Sequence, residues 1–157
     1  MDSHLALPLV DANDLATDIL AFGLNMDLPW AMTAHILYTG LDPSRPATMS
    51  RDVIGSVIRG RMGFRGVLVT DDLAMQALTG TPAERAVAAL AAGCDIALYC
   101  SGEFAPTEAL LAVCPQMHPE SARRLRAART LAGRRRTALE PAALAAERDR
   151  LLAAGRL

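Results

Sequence analysis

The chain has 157 residues, a mass of 16.7 kDa and a hydrophobic content of 52%, which is enough for the core of one domain. Its 16 basic and 17 acidic residues give a net charge of -1, which excludes a strong bulk attraction to nucleic acid or to an anionic membrane. All the basic residues are arginines, so the chain offers no catalytic or phosphate-binding lysine. The three cysteines lack CxxC spacing and indicate thiols in a reducing compartment, neither a zinc site nor a disulfide framework.

Buried strands alternate with helices along the chain. Short apolar runs predict strands at residues 29–37, 66–71 and 95–100. Helical patterns precede and follow them. This alternation predicts parallel βα units and therefore an α/β fold.

Capping signals mark two of the helices. Ser50 is a candidate N-cap for a helix over about 51–62, and a capping box at 81–84 begins a helix that Gly93 ends. Apolar spacing predicts a helix over 11–27, with Asp11 or Asn13 as candidate N-cap, and helical patterns extend over 104–114 and 119–132. The Ala/Leu/Arg-rich composition predicts a terminal helix at 138–157.

Two carboxylates, Asp71 and Asp72, stand at the carboxyl end of the strand at 66–71. Functional side chains collect at that end in parallel βα folds. Adjacent residues of a strand point to opposite sides, so only one of the two can face a shared site. The alternative, that they merely cap the next helix, stays open on the pattern alone.

The histidines are the other candidates for proton chemistry. Asp2 and His4 share one face of an extended segment, so the carboxylate can orient the imidazole for proton transfer; a disordered chain end is the alternative. His35 follows an apolar run, which favours a satisfied core or rim group, and it is only a weak candidate for binding a substrate. His118 lies in a predicted loop and is treated as structural or exposed.

Seven arginines lie between residues 123 and 136, with no acidic residue between Glu120 and Glu140. Such a run is able to bind an anion or RNA. No aromatic side chain interleaves the arginines, so a platform for stacking bases is missing. We therefore predict a solvated helix face and no nucleic-acid partner.

Residues 57–75 closely resemble the nucleophile segment of family 3 glycoside hydrolases, above all of the bacterial β-N-acetylhexosaminidases of the NagZ type. The segment reads Val-Ile-Arg-Gly-Arg-Met-Gly-Phe-Arg-Gly-Val-Leu-Val-Thr-Asp-Asp-Leu-Ala-Met. Three further segments are similar to that family in the same order: its Asp-Ser-His loop at 2–5, a strand at 31–36, and the start of the last barrel strand at 92–95.

This resemblance implies a TIM barrel and a retaining exo-glycosidase. Such an enzyme removes a terminal β-linked N-acetylglucosamine without a cofactor, typically from muropeptide fragments of peptidoglycan recycling in the cytoplasm. Asp71 matches the family's nucleophile. His4 matches its acid/base group, with Asp2 orienting the imidazole, while Asp72 is expected to support the loop or to cap the following helix.

The chain also departs from the family pattern. A complete (β/α)8 barrel needs about 250 residues, and only about strands six to eight are expected here. The family's upstream Lys-His-x-Pro-Gly-His-Gly segment is absent. We therefore expect residues 1–157 to form a single partial barrel domain, a fragment from the C-terminal portion of such an enzyme, with little activity of its own.

Two other classes of function remain. One is a non-catalytic α/β module, or a half-barrel that complements a separately encoded N-terminal half. The other is a small flavodoxin-like domain, which fits the βα alternation but lacks a glycine-rich phosphate loop after a strand. The resemblance favours the hydrolase over both.

Overall fold

The computed structural model describes residues 2–11, 15–134 and 140–155. In these ranges the strands are short and lie before residue 70, and four longer helices follow the last of them. The strands are β1 (Leu9–Val10), β2 (Trp30–Met32), β3 (Leu37–Tyr38) and β4 (Val67–Val69). The helices are α1 (Leu15–Gly23), α2 (Pro82–Ala92), α3 (Phe104–Val113), α4 (Pro119–Arg134) and α5 (Pro141–Ala154), with a 3-10 turn at Ala47–Met49 and a π-helix at Val53–Arg61.

The strands form two small parallel sheets in the described ranges. β1 pairs with β3, and β2 pairs with β4 in the register that sets Trp30 opposite Val67. A parallel bridge between Val69 and Ile96 adds the segment at 95–100 to the second pair. The α/β arrangement with parallel pairing agrees with the sequence prediction. The assignment to barrel strands six to eight stays a prediction, because only these small sheets are present.

The predicted strand at 29–37 is wrong in extent, because the chain changes partner within it. The Thr33 N–H still donates to the Val69 carbonyl of β4 at 2.9 Å. The Ile36 carbonyl then accepts the Ala47 N–H at 2.8 Å. The strand at 29–37 is therefore divided between β2 and β3.

The predicted strand at 95–100 is not a regular strand, because side chains take hydrogen bonds that a ladder would make between backbones. Thr70 Oγ1 accepts the Leu98 N–H at 2.8 Å, and Asp95 Oδ2 accepts the Leu68 N–H at 2.9 Å. The Thr70 N–H still donates to the Ile96 carbonyl at 3.0 Å. The segment therefore follows β4 closely without forming a continuous ladder.

The predicted caps at Ser50, Gly63, Thr81 and Gly93 are observed, whereas the helix predicted over 11–27 ends earlier, at Gly23. Ser50 Oγ accepts the Val53 N–H at 3.2 Å, and the left-handed Gly63 ends the π-helix. The Thr81 capping box is formed in both directions, and Gly93 ends α2 with φ of 119°. The helix predicted at 138–157 is observed as α5, with residues 138–139 and 156–157 outside the described ranges.

Two apolar clusters hold β4 and the segment after it. The first contains Ile54, Phe64, Leu68 and Ala89, and the second contains Leu73, Leu78, Ala86 and Leu110. Helix α2 contributes to both clusters. It therefore fixes β4 and the loop that follows β4 as one packed unit.

The arginine-rich stretch is helical as far as Arg134, and residues 135 and 136 lie outside the described ranges. Arg123 pairs with Glu120 on the exposed surface. Arg124 instead turns inward to Asp95, at 2.8 Å. The prediction that the arginines form a solvated helix face is therefore wrong for Arg124.

No helix in the described residues is long and apolar enough to cross a membrane. Cys94, Cys100 and Cys114 are free thiols. Burial raises the pKa of the Cys94 thiol to about 12, which keeps it protonated and unreactive near neutral pH.

Candidate active site

β4 leads directly into the candidate nucleophile. Thr70, at the carboxyl end of this strand, is fully buried and is bonded through its backbone and its hydroxyl to the segment at 96–98. The backbone that carries Asp71 is therefore anchored on its amino-terminal side. A fixed backbone at a strand end is where parallel βα folds present reactive groups.

The two adjacent carboxylates have different surroundings. Asp72 Oδ1 accepts the N–H groups of Ala74 and Cys100, both at 2.9 Å, so Asp72 ties its own loop to the next segment, as expected from the sequence. Asp71 Oδ1 accepts the Asp72 N–H at 2.8 Å. The described residues donate no hydrogen bond to Asp71 Oδ2, so this half-buried carboxylate keeps one oxygen for a substrate.

The predicted pairing of Asp2 with His4 is present. Asp2 Oδ1 accepts the His4 backbone N–H at 3.0 Å and lies 2.8 Å from His4 Nδ1. The His4 backbone N–H, followed by its side chain, lowers the pKa of Asp2, so the carboxylate stays charged. A proton on Nδ1 donated to this carboxylate leaves Nε2 to exchange a proton with a substrate.

The loop after the two aspartates reaches the loop of the pair. The Ala77 N–H donates to the His4 carbonyl at 3.0 Å. Leu7 packs against the apolar cluster that contains Leu73 and Leu78. The structure therefore joins the candidate nucleophile loop and the candidate acid/base loop directly.

His35 is a buried residue that holds the aspartate turn. Its side chain is only 2% exposed; Nε2 lies 3.0 Å from the Asp72 carbonyl oxygen and Nδ1 lies 2.9 Å from Thr48 Oγ1. Because a carbonyl only accepts, Nε2 carries a proton. Both ring nitrogens are engaged within the chain, so neither is free for the substrate contact that was weakly expected of His35.

Sequence reasoning missed two residues at this site. Thr48 is fully buried and supports His35. Arg85 reaches back from α2 to the loop after the aspartates. The sequence offers one local indication of the role of Arg85. It is a charged residue directly before Ala86, which lies on the buried side of α2. No group of three metal-ligating side chains is found within the described ranges.

Residues 1–130 match the model of the family described as "Glycosyl hydrolase family 3 N terminal domain". The chain belongs to glycosyl hydrolase family 3. It is 38% identical over 130 residues to a β-hexosaminidase of Idiomarina loihiensis, covering 79% of this chain and 39% of that protein. It is 42% identical over 131 residues to a β-hexosaminidase of Alkalilimnicola ehrlichii, covering 79% and 37%. The family 3 chain thus spans about two fifths of the length of these relatives.

Two solved structures share the fold. NagZ of Neisseria gonorrhoeae, in complex with N-trifluoroacetyl-D-glucosamine, superposes with a TM-score of 0.66 at 30% identity, over 80% of this chain and 38% of that chain. A family 3 β-N-acetylglucosaminidase of Paenibacillus superposes with a TM-score of 0.68 at 28% identity, over 90% and 31%. The family resemblance predicted from residues 57–75 is confirmed.

The expectation that the chain is the C-terminal portion of the enzyme is wrong. The matching model describes the N-terminal domain of family 3 enzymes. A likeness to late strands of a barrel gives a position within one domain, and it says nothing about where that domain lies in a longer polypeptide.

Proposed function

We propose that this family 3 chain carries the catalytic groups of a retaining β-N-acetylhexosaminidase that acts on terminal β-linked N-acetylglucosamine. The observation that carries this proposal is the free carboxylate oxygen of Asp71 on a loop that is hydrogen-bonded to the loop of the Asp2–His4 pair. Relatives named β-hexosaminidase support the same activity. Muropeptide fragments in the cytoplasm are the proposed substrate and location.

The first chemical step forms a glycosyl-enzyme. Asp71 Oδ2 attacks the anomeric carbon and makes a C–O bond, while the bond from that carbon to the leaving oxygen breaks. The leaving oxygen takes the bonding electron pair and a proton from His4 Nε2. Asp2 stabilises the imidazolium that exists before this transfer.

The second step releases the sugar. Neutral His4 Nε2 accepts a proton from water, whose oxygen bonds to the anomeric carbon as the bond to Asp71 breaks. The electron pair returns to the Asp71 carboxylate, and His4 is again an imidazolium. Two displacements at one carbon retain its configuration, and the sequence of steps needs no cofactor.

The isolated chain is proposed to have little activity. Efficient attack needs the sugar held within roughly an ångström of the reactive geometry. The described residues supply the nucleophile and the proton donor, but two short sheets provide few residues that could line a sugar-binding site. A polypeptide that completes the barrel would supply the missing contacts.

An assay with an aryl N-acetyl-β-glucosaminide tests this proposal. The 157-residue chain is measured alone and after co-expression with the part of a family 3 relative outside the matched region. We expect chromophore release mainly in the co-expressed sample. Asp71→Asn should lower it by at least about a thousandfold, because the nucleophile is lost, and Asp72→Asn, which keeps an acceptor for Ala74 and Cys100, serves as the matched control.

Three results would count against the proposal. Strong release by the chain alone would refute the need for completion. No release in the co-expressed sample would favour the non-catalytic module. Full activity in the Asp71→Asn sample would remove Asp71 from the mechanism.

A further inference from the structure

A single guanidinium holds the loop that follows the two aspartates. Arg85 Nη1 donates to the carbonyl of Leu73 at 2.8 Å and of Met75 at 3.1 Å. Its Nη2 donates to the Leu78 carbonyl, and its Nε donates to the Thr79 carbonyl at 3.3 Å. Four carbonyls spread over seven residues of chain therefore converge on one side chain.

The position of Arg85 is itself fixed. Its backbone N–H donates to the Thr81 carbonyl at 3.0 Å, in the first turn of α2. The capping box of Thr81 and Glu84 defines where that turn begins, and the neighbouring Ala86 is completely buried. The guanidinium thus projects from a rigid helix start onto a loop without regular secondary structure.

The segment 73–79 is also the part of the chain that contacts the acid/base loop. Ala77 lies between the carbonyls that Arg85 holds, and its N–H is the donor to the His4 carbonyl. The pair itself is exposed, with side-chain exposures of 73% for His4 and 58% for Asp2. A contact from a fixed segment therefore limits where this exposed pair lies.

We propose that Arg85 is a positioning residue for the His4 acid/base group, acting through the 73–79 segment and the Ala77–His4 hydrogen bond. This inference rests on the proposed function, since it assigns Arg85 a part in that reaction. Arg85 acts through another segment and does not touch the reacting atoms.

The contact consists of groups whose charge stays the same throughout the proposed reaction. Arginine remains protonated, and backbone carbonyls do not titrate. The contact is therefore unchanged when His4 gains or loses its proton. Lysine replaces it only in part, because its three donors sit on one nitrogen, whereas the planar guanidinium reaches the four carbonyls from three nitrogens.

The test uses the full 157-residue chain with Arg85→Met, Arg85→Lys and the control Arg51→Met. Arg51 is a matched control because its guanidinium also donates to a carbonyl of α2, that of Ala91 at 3.0 Å, and none of its described hydrogen bonds goes to the 73–79 segment. Hydrogen exchange is measured at the Ala77 amide, and the imidazole signals of His4 and His118 are recorded by NMR.

We expect Arg85→Met to speed exchange at Ala77 by at least about tenfold, because charge-assisted hydrogen bonds to its segment are lost. The His4 signals should shift while those of His118, whose described hydrogen bonds are with Glu120 and Ala122, stay in place. Arg85→Lys should give a smaller change of the same kind. If the methionine variant does not fold, the lysine variant still tests the inference. Arg51→Met should leave both readouts unchanged.

A purely structural role predicts a different result. Exchange would then rise equally at Ala77 and at buried α2 positions such as Ala89, without a shift of the His4 signals, and the inference would be overturned. Neither readout needs catalysis. Unchanged His4 signals beside normal hydrolysis in the co-expressed sample contradict this inference alone, whereas shifted His4 signals beside no hydrolysis in the co-expressed sample contradict the proposed function.

Discussion

Each ionisable side chain at the candidate site has a role set by its immediate hydrogen-bond partners. Asp72 is engaged by two backbone N–H groups, whereas Asp71 keeps an oxygen outside such contacts. His35 donates to the Asp72 carbonyl from a buried position. The turn that orients Asp71 is therefore held from both the side chain and the main chain of Asp72.

Replacing His35 tests its hold on this turn. His35→Leu leaves the Asp72 carbonyl and the Thr48 hydroxyl without this partner, so it should lower the free energy of unfolding by about 1–3 kcal/mol. His35→Gln retains an N–H donor in place of Nε2 and should lower it less. Urea denaturation of the two variants measures the difference, and equal losses would show that the Asp72 hydrogen bond contributes nothing.

The sequence reveals these residues unequally, for a physical reason. Asp2 with His4, and Asp71 with Asp72, lie in short local motifs that can be found without a fold. The contacts of His35 join it to positions 13 and 37 residues away, and Arg85 contacts a loop whose path depends on α2. No local pattern encodes such distances, so the true partner of His35 became visible only in the structure.

At the scale of elements, one buried carboxylate joins four parts of the fold. Asp95 Oδ2 accepts from Arg59 of the π-helix at 2.8 Å and from the Leu68 N–H of β4 at 2.9 Å. Its Oδ1 accepts from Ser121 at 2.6 Å and from Arg124 at 2.8 Å, both on α4. Asp95 therefore ties β4, two helices and the 95–100 segment together.

Asp95→Asn should destabilise the fold strongly. Two half-buried guanidinium groups would lose their carboxylate, and breaking a buried pair of this kind costs about 3–5 kcal/mol. Ser121→Ala removes one hydrogen bond and keeps the charges, so its loss should be near 1 kcal/mol. Thermal and urea unfolding of both variants check this ranking, which a larger loss for Ser121→Ala would contradict.

The contribution of Asp95 depends on pH. Burial by itself raises the pKa of Asp95. Hydrogen bonds from Ser121 and Leu68 and the charge of Arg124 lower this pKa by more than burial raises it, so it lies below its ordinary value of 3.8. A carboxylate with a lowered pKa in the folded state adds stability above the unfolded pKa and loses it as the pH falls through the folded pKa. The difference between the wild type and Asp95→Asn should therefore be constant near neutral pH and shrink below about pH 3.8.

Helix ends were predictable because caps are local, as at Ser50 and Thr81. Strand lengths were not, because a strand ends where its partner changes. The run at 29–37 exchanges one partner strand for another. The segment at 95–100 exchanges backbone partners for the side chains of Thr70 and Asp95.

At the scale of the whole molecule, one face is apolar and open. A cavity of about 460 Å³ lies among residues of α1, β2 and the π-helix. Trp30 and Met32 of β2 are 44% and 55% exposed, and Phe22 of α1 is 62% exposed. β2 pairs only with β4 in the described chain, so it also presents an unpaired strand edge, a feature that favours association with another chain.

This open face supports the view that the family 3 chain acts together with further barrel elements. The same observation favours the half-barrel alternative over a self-contained module. For a chain completed by further barrel elements the central chemical claim is that the Asp71 carboxylate bonds to the anomeric carbon of the sugar, a bond that a non-catalytic module would not form.

Covalent trapping measures that claim most directly. A 5-fluoro N-acetylglucosaminyl fluoride is incubated with the co-expressed sample, and the labelled peptide is sequenced by mass spectrometry. The account predicts a glycosyl label on Asp71 that is absent in Asp71→Asn and unchanged in Asp72→Asn. A label on Asp72, or on any side chain other than Asp71, would contradict it.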